Sequence, residues 1–375
     1  MQFSCEKVQL LSAITITGHV ASSRSTVPAL EGLLLQAQEE GGLFISGYDL
    51  KTGIRTKIPA EVTKPGDIVL NAKLLGDIIR RLSDEIVVFS VGNDYLVTIT
   101  CGQSTFDIIG IPGTDYPALP SVNEEQTISV PQNMLKQMIS ETKFAISDDE
   151  SRPIHTGSLF EMKDQTLTIV SVDGYRLALR REALENQTVD CQFVVPGGAL
   201  GEVEKIVLDS DDFLTIKLDT KHILFTIGET TVISRRLEGE FLNYKQAIPQ
   251  TNTIYLTVDK KQLLSAVERV SLIINEKLRS PVRCMFGDDV LTLATATALG
   301  KANDTCPVTG DGGGLEIGFN NKYLIDALRA ASVDEVKISL GTAVSPCIIS
   351  PLDSDGGEDI TTARFVYLVL PVRLV

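Results

Sequence analysis

Three histidines (His19, His155 and His222) and six cysteines (Cys5, Cys101, Cys191, Cys284, Cys306 and Cys347) are the side chains of this chain best suited to nucleophilic, acid–base or metal chemistry. Their spacing assembles none of it. No CxxC pair, HxxxH or HExxH occurs, so neither a zinc site nor a disulfide framework is indicated. The cysteines read as buried free thiols in a reducing compartment, and no serine or cysteine has an evident histidine neighbour in the pattern. "GDGGGLEIG" (Gly310–Gly318) imitates a phosphate cradle but lacks the Lys-Ser/Thr that follows in a P-loop. It reads as an interdomain-type loop. "DSDD" (Asp209–Asp212) and "DSDGGED" (Asp353–Asp359) lack the twelve-residue EF-hand layout and read as solvated acidic turns. "DGYR" (Asp173–Arg176) is sufficiently explained as a turn between two strands. The expectation is a non-enzymatic protein with no cofactor and no metal.

The elements that must position any site follow from a threefold repeat. At 375 residues the chain is long enough for two or three domains. Three segments share one layout, a short apolar strand, a helical pattern and an arginine: Arg24, Arg152 and Arg279, separated by 128 and 127 residues. Strands with alternating apolar residues come next, then a second helix ("NAKLLGDIIRRL", "PGGALGEVEKIVL", "NNKYLIDALRAA") and further strands. The first two units close on similar turns, "GTDYPALP" and "GEFLNYKQAIP". The predicted unit is β-α-β-β-β-α-β-β-β, which makes the fold class α+β with three repeated domains at 1–121, 126–250 and 253–375. No run of about 18 apolar residues is present, and the N-terminus lacks the layout of a signal peptide. A cytoplasmic protein is the expectation.

Charge is distributed by element. Net charge is −15 and the pI is near 4.7, the reverse of a generic nucleic-acid binder. Helical windows at about 5–20, 72–82, 131–144, 197–206, 259–278 and 320–331 nevertheless hold 13 basic and 9 acidic residues, a net +4 that leaves −19 for the rest. One reading is that helices carry solvated Lys and Arg. The other is a channel lined by helices, touching phosphates without sequence preference and shielded by an acidic exterior.

The motifs "SVDGYRLALR" (Ser171–Arg180), "INEKLRSPV" (Ile274–Val282), "EIGFNNKYLIDAL" (Glu316–Leu328) and "LPVRL" (Leu370–Leu374), in this order and spacing, resemble the bacterial DNA sliding clamp family, the beta subunits of DNA polymerase III, over the full length. The resemblance implies a processivity factor for DNA replication. It would be a head-to-tail homodimer ring around duplex DNA, opened by a separate ATP-driven loader. It implies a pocket between the second and third domains for short linear peptides of polymerases, clamp loader and repair proteins. Matching positions are Val172, Gly174, Tyr175, Arg176, Leu177, Leu242, Ala247, Leu278, Asn320, Tyr323, Val344, Pro346, Leu368, Val369, Leu370, Pro371, Val372 and Arg373, with Arg176 and Asn320 suited to fixing a peptide amide. It places Phe106 and Ile108 against Leu272 and Ile273 at the ring interface, and Arg24, Arg152, Lys73, Arg80 and Lys205 near DNA. The chain departs from the family at Leu242, His155 and the acidic "SDDE" (Ser147–Glu150). Alternatives are a peptide-binding scaffold or an α+β enzyme that does not encircle DNA. The apolar end "YLVLPVRLV" is expected to be a last strand through Tyr367–Val369, after which Pro371 stops sheet pairing and frees the segment to wall the groove.

Overall fold

The computed structural model describes residues 1–375 apart from 23, 84, 123–125, 186–188, 250, 276–279, 353–359, 361 and 375. Leu278, Arg279 and the acidic stretch 353–359, singled out above, lie outside the described residues. The first repeat runs β1 (Gln2–Glu6), α1 (Lys7–Gly18), β2 (Gly32–Gln38), β3 (Gly42–Tyr48), β4 (Thr52–Ile58), β5 (Glu61–Lys64), β6 (Gly66–Asn71), α2 (Ala72–Arg81), β7 (Ile86–Val91), β8 (Leu96–Cys101), β9 (Ser104–Ile109) and β10 (Ile111–Pro112). The second runs β11 (Gln126–Pro131), α3 (Gln132–Ser140), β12 (Gly157–Lys163), β13 (Thr166–Val172), β14 (Arg176–Ala183), β15 (Cys191–Pro196), α4 (Gly197–Ile206), β16 (Phe213–Leu218), β17 (His222–Ile227), β18 (Thr230–Arg235) and the short α5 (Tyr244–Ala247). The third runs β19 (Ile254–Asp259), α6 (Lys260–Ser271), β20 (Val282–Thr297), β21 (Gly300–Phe319), α7 (Asn321–Ala330), β22 (Glu335–Leu340), β23 (Cys347–Pro351) and β24 (Phe365–Val369).

The repeat is present, but among the described residues the expected three strands between helices become five, four and two. In the third repeat one long hairpin replaces separate short strands, bent by register shifts between Phe286 and Val290. Gly310–Gly318 belongs to this hairpin, within β21, and is not an interdomain loop. Its glycines serve the bend. A Cβ on Gly312 would meet the Phe286 carbonyl oxygen at 2.5 Å, and Gly310, Gly313 and Gly314 have positive φ.

The chain divides into two compact units, Met1–Asn133 with Gly198–Arg236, and Met134–Gly197 with Leu237–Val375. Compactness follows the sheets, and the middle repeat contributes to both units. Unit one holds a five-stranded sheet, β5-β1-β7-β8-β9, and a nine-stranded one, β10-β6-β2-β3-β4-β18-β17-β16-β11. Unit two holds a ten-stranded sheet, β15-β12-β13-β14-β24-β23-β22-β19-β21-β20. Every pairing is antiparallel. Strands from different repeats meet twice: β4 on β18, where the buried hydroxyls of Thr56 and Thr230 lie 2.8 Å apart, and β14 on β24.

Apolar periodicity accounts for the cores. In unit one, alternate residues of β8 (Val97, Ile99, Cys101) turn inward against Leu10, Ala13 and Ile14 of α1 and Leu75, Ile78 and Ile79 of α2. In unit two, β24 is buried on both faces: Phe365 and Tyr367 enter the core built on α6 and α7, while Val366 and Leu368 enter a second core with Leu177, Leu179 and Tyr244. Helix starts are capped as their sequences allow, by Asn71 on α2, Asp259 on α6 and Asn320 on α7. Five cysteines are buried and Cys191 is half-buried. Burial pushes the thiols of Cys5 and Cys347 up to about 12, away from reactive thiolate chemistry. Among the described residues no helix is long and apolar enough to cross a membrane.

Helix α1 lies so close to β3 that a Cβ on Gly47 would meet the Thr17 carbonyl oxygen at 2.0 Å. Gly198, inside α4, has nothing within 4 Å. Gly47→Ala is therefore expected to cost about 1–3 kcal/mol, and Gly198→Ala to add about 0.4–1 kcal/mol. Thermal unfolding checks both signs.

Candidate peptide-binding groove

The residues matched to the groove divide into a floor and a rim. Val172, Leu177, Leu368 and Val369 are buried, as is Arg176. Val172, Leu177 and Leu368 share one apolar cluster, against which Leu370 and Ile154 pack. Tyr175 (61% exposed), Leu242 (42%) and Val372 (38%) stand out from it, with Gly174 and Arg373 exposed, and Ala247, Leu370 and Pro371 half-buried. Asn320 and Tyr323 begin α7, Pro346 is half-buried, and Val344 is 84% exposed.

The turn at Asp173–Gly174 sets this arrangement. Gly174 takes φ +89°, and Asp173 Oδ1 accepts the backbone N–H of Tyr175 (2.9 Å) and Arg176 (3.0 Å). The same carboxylate binds Arg176 Nε at 2.9 Å, and Asp326 on α7 takes its Nη1 at 2.6 Å. The guanidinium also lies 4.6 Å from the Tyr323 ring centre and 5.4 Å from that of Phe144. Tyr323 in turn stacks on Tyr175 at 6.1 Å. Arg176 is thus engaged with two carboxylates and two ring faces, holding β14 to α7. Asn320 uses its Oδ1 to cap α7, accepting from Lys322 N at 2.9 Å.

The C-terminal segment follows both repeats. Leu370 N–H donates to Tyr175 O (2.9 Å), and Val372 N–H donates to Gly318 O (2.7 Å). Pairing therefore continues one step beyond Pro371, contrary to the expectation that proline ends it: the donor lost is Pro371's own, and Val372 supplies the next. Gly318 permits the approach, since a Cβ there would meet Leu374 at 2.5 Å. On the other flank α5 is pinned to the sheet by Glu161, which accepts from Tyr244 Oη and pairs with Lys245 Nζ at 3.2 Å. Tyr116 plays the matching part in the first closing turn, buried with its hydroxyl on Ser46 O. Behind α5 lies a cavity of about 620 Å³, lined by Glu161, Lys163, Thr168, Arg181, Glu182 and Arg364 among others. Glu182 already pairs with Arg364, and Arg181 donates to the Ala363 carbonyl.

Sequence inspection missed Phe144, Asp326, Gly318 and Glu161. Gly318 and Asp326 carried a signal, their place within the Glu316–Leu328 motif; Phe144 and Glu161 are ordinary residues until folding places them. Asp173, a turn residue by its sequence, is also the partner of Arg176.

The positions matched to DNA are exposed. Arg24 lies in a bend after α1, and Arg152 precedes the 3-10 turn Pro153–Thr156. Lys73 is open on α2. Arg80 is bound to Asp77 at 2.9 Å, and Lys205 to Glu202 at 2.8 Å, a carboxylate it shares with His19 Nδ1 at 3.1 Å. The acidic neighbour Asp149 is held below the usual carboxylate range by hydrogen bonds from Ser151. Helix limits are tighter than the sequence windows. The six helices other than α5 hold eleven basic and five acidic residues, a net +6 in place of +4. Phe106 and Ile108 lie on β9, an edge of its sheet, 37% exposed and half-buried respectively. Leu272, just past α6, is 84% exposed, and Ile273 half-buried.

Three family models cover the chain in order, the N-terminal, central and C-terminal domains of the DNA polymerase III beta subunit, over residues 1–120, 129–243 and 245–363. A beta sliding clamp of Staphylococcus epidermidis is 31% identical over 388 residues, spanning 100% of this chain and 99% of that protein. The crystal structure of the DNA polymerase sliding clamp from Bacillus subtilis superposes with a TM-score of 0.93 at 29% identity, covering 100% of both chains. That of the sliding clamp from Pseudomonas aeruginosa bound to griselimycin has a TM-score of 0.92 at 28% identity over 100% of both. The chain belongs to the DNA polymerase III beta subunit family, the sliding clamps.

His155 packs edge-on against Phe241 at 5.6 Å beside this groove. Burial, with repulsion from Arg152, holds its pKa below the ordinary value of 6.5. Unfolded His155 takes up a proton as pH falls past about 6.5 while the folded residue resists, so its contribution to stability is complete above that pH and declines below it. Thermal unfolding of the parent and of His155→Gln between pH 7.5 and 5 is expected to show a shallower acid-side loss in the variant.

Proposed function

We propose that this protein is a non-catalytic processivity clamp, a head-to-tail homodimer that encircles duplex DNA in the cytoplasm and tethers polymerase, clamp loader and repair proteins through the groove around Arg176 and the C-terminal segment. The observation that carries the reading is family membership along the whole chain, combined with the partition of charge: cationic helices in a chain of net charge −15. Dispersed lysines and arginines already balanced by Asp77 and Glu202 suit contact that is weak at each phosphate, which leaves sliding unhindered. Retention then comes from topology.

Two edges support closure. β9 borders the five-stranded sheet and β20 the ten-stranded one, each presenting unpaired backbone. Exposed Phe106 on β9 and exposed Leu272 after α6 supply apolar partners. Two copies of one such contact complete a twofold assembly. In the groove, a buried apolar floor with an aromatic and arginine rim is what a short amphipathic peptide needs. Arg176 serves it by fixing the Tyr175–Tyr323 stack.

The decisive experiment loads the protein with its cognate loader onto nicked circular DNA and then cuts the circle. A clamp stays bound until linearisation and then runs off; retention indifferent to the cut overturns the topological reading, and both the scaffold and the enzyme alternatives predict no retention at all. Phe106→Asp is expected to give monomers on sizing, because a carboxylate buried without a partner is costly; an unchanged dimer refutes the interface. Deleting residues 371–375 is expected to abolish binding of griselimycin while leaving the oligomer intact.

A further inference from the structure

We propose that Arg180 is a positioning residue for the groove: its buried guanidinium sets the register of β24 on β14 and so the course of the C-terminal segment along the rim. The inference rests on the reading of residues 370–373 as a groove wall. Arg180 ends the Ser171–Arg180 motif and is fully buried. Its Nε lies 2.8 Å from Glu141 Oε2, an ion pair whose angle misses hydrogen-bond alignment, and Glu141 is itself buried. Arg180 Nη2 binds Glu182, and Nη1 donates to the carbonyls of Arg181 (2.8 Å) and Arg364 (3.2 Å). Arg364, just before β24, returns two bonds to Glu182 Oε1, at 3.0 and 2.9 Å. Arg181 N–H completes the lock on Arg364 O at 2.8 Å.

Register needs such a device here. The paired sequences are apolar, Leu177-Ala178-Leu179 against Val366-Tyr367-Leu368. A one-residue slip would turn every side chain to the wrong core and is forbidden by burial. A two-residue slip keeps each residue on its own face, and backbone hydrogen bonds do not distinguish it. The Arg180 network does, because it recognises Arg364 opposite Arg181 and nothing two residues away offers both a carbonyl and a carboxylate-binding guanidinium. A buried ion network contributes little net stability and is suited to specifying one arrangement. The strand it fixes runs directly into Leu370 and Val372, whose bonds to Tyr175 and Gly318 hold the rim.

The test pairs Arg180→Met with Arg180→Met/Glu141→Leu. The single variant strands a buried carboxylate and lowers Tm; the double variant removes both charges at similar volume and recovers it. A purely stabilising role predicts that the double variant also recovers griselimycin binding. Positioning predicts an affinity loss of about tenfold or more, equivalent to about 1.4 kcal/mol, at parental Tm, with faster amide hydrogen exchange at 370 and 372. Parental affinity and exchange in the double variant would overturn the inference. If the parent itself fails to bind griselimycin, the groove reading falls, and hydrogen exchange at these amides alone decides the register. Glu182→Gln repeats both measurements should the double variant not fold, with a smaller change expected in the same direction and no change overturning the proposal.

Discussion

The antiparallel pairing of β14 with β24 is the contact on which the rest of unit two depends. It joins a strand of the middle repeat to the last strand of the chain, residues 176–180 against 365–369. Because β24 is buried on both faces, it is also the partition between two cores, one on α6 and α7 and one beneath α5. Removing it would open both cores at once and release the rim segment. A sheet edge left at β14 would otherwise be an unpaired apolar strand, a liability that the C-terminal strand resolves. The β4–β18 pairing does the same in unit one, with Thr56 and Thr230 in place of charges.

The groove is built around a cation that is already satisfied. Arg176 binds Asp173 and Asp326 and lies against two aromatic rings. A guanidinium so held loses little further freedom when a ligand arrives, and its planar faces orient Tyr323 and, through it, Tyr175. Preorganisation of this kind lowers the ordering cost that any ligand of such a site would meet. The backbone does similar work at Gly318, where the absence of a side chain admits the C-terminal segment.

Charge follows an opposite logic on the helices. There cations outnumber acids, and some are paired at the surface, as Arg80 is with Asp77 and Lys205 with Glu202. Exposed pairs of this sort exchange readily with other partners and are screened by salt. Buried ion pairs hold Arg176 and Arg180 in place, whereas the pairs on α2 and α4 are exposed and weak.

The sequence by itself determined the threefold repeat, the starts of the six longer helices to within two residues, the α+β class and the family, because hydrophobic period and the order of short motifs are local properties of the chain. It also marked Tyr367–Val369 as part of a strand. Tertiary structure alone decided how many strands lie between helices, that Gly310–Gly318 is part of a bent hairpin, and that Val372 pairs beyond Pro371. It also decided the partners of the two key arginines. Asp326 lies 150 residues from Arg176, and Arg364 lies 182 from Glu182. Nothing in the local pattern of either residue announces the other, since a carboxylate on a helix and an arginine before a strand look like solvated charges until the sheet brings them together.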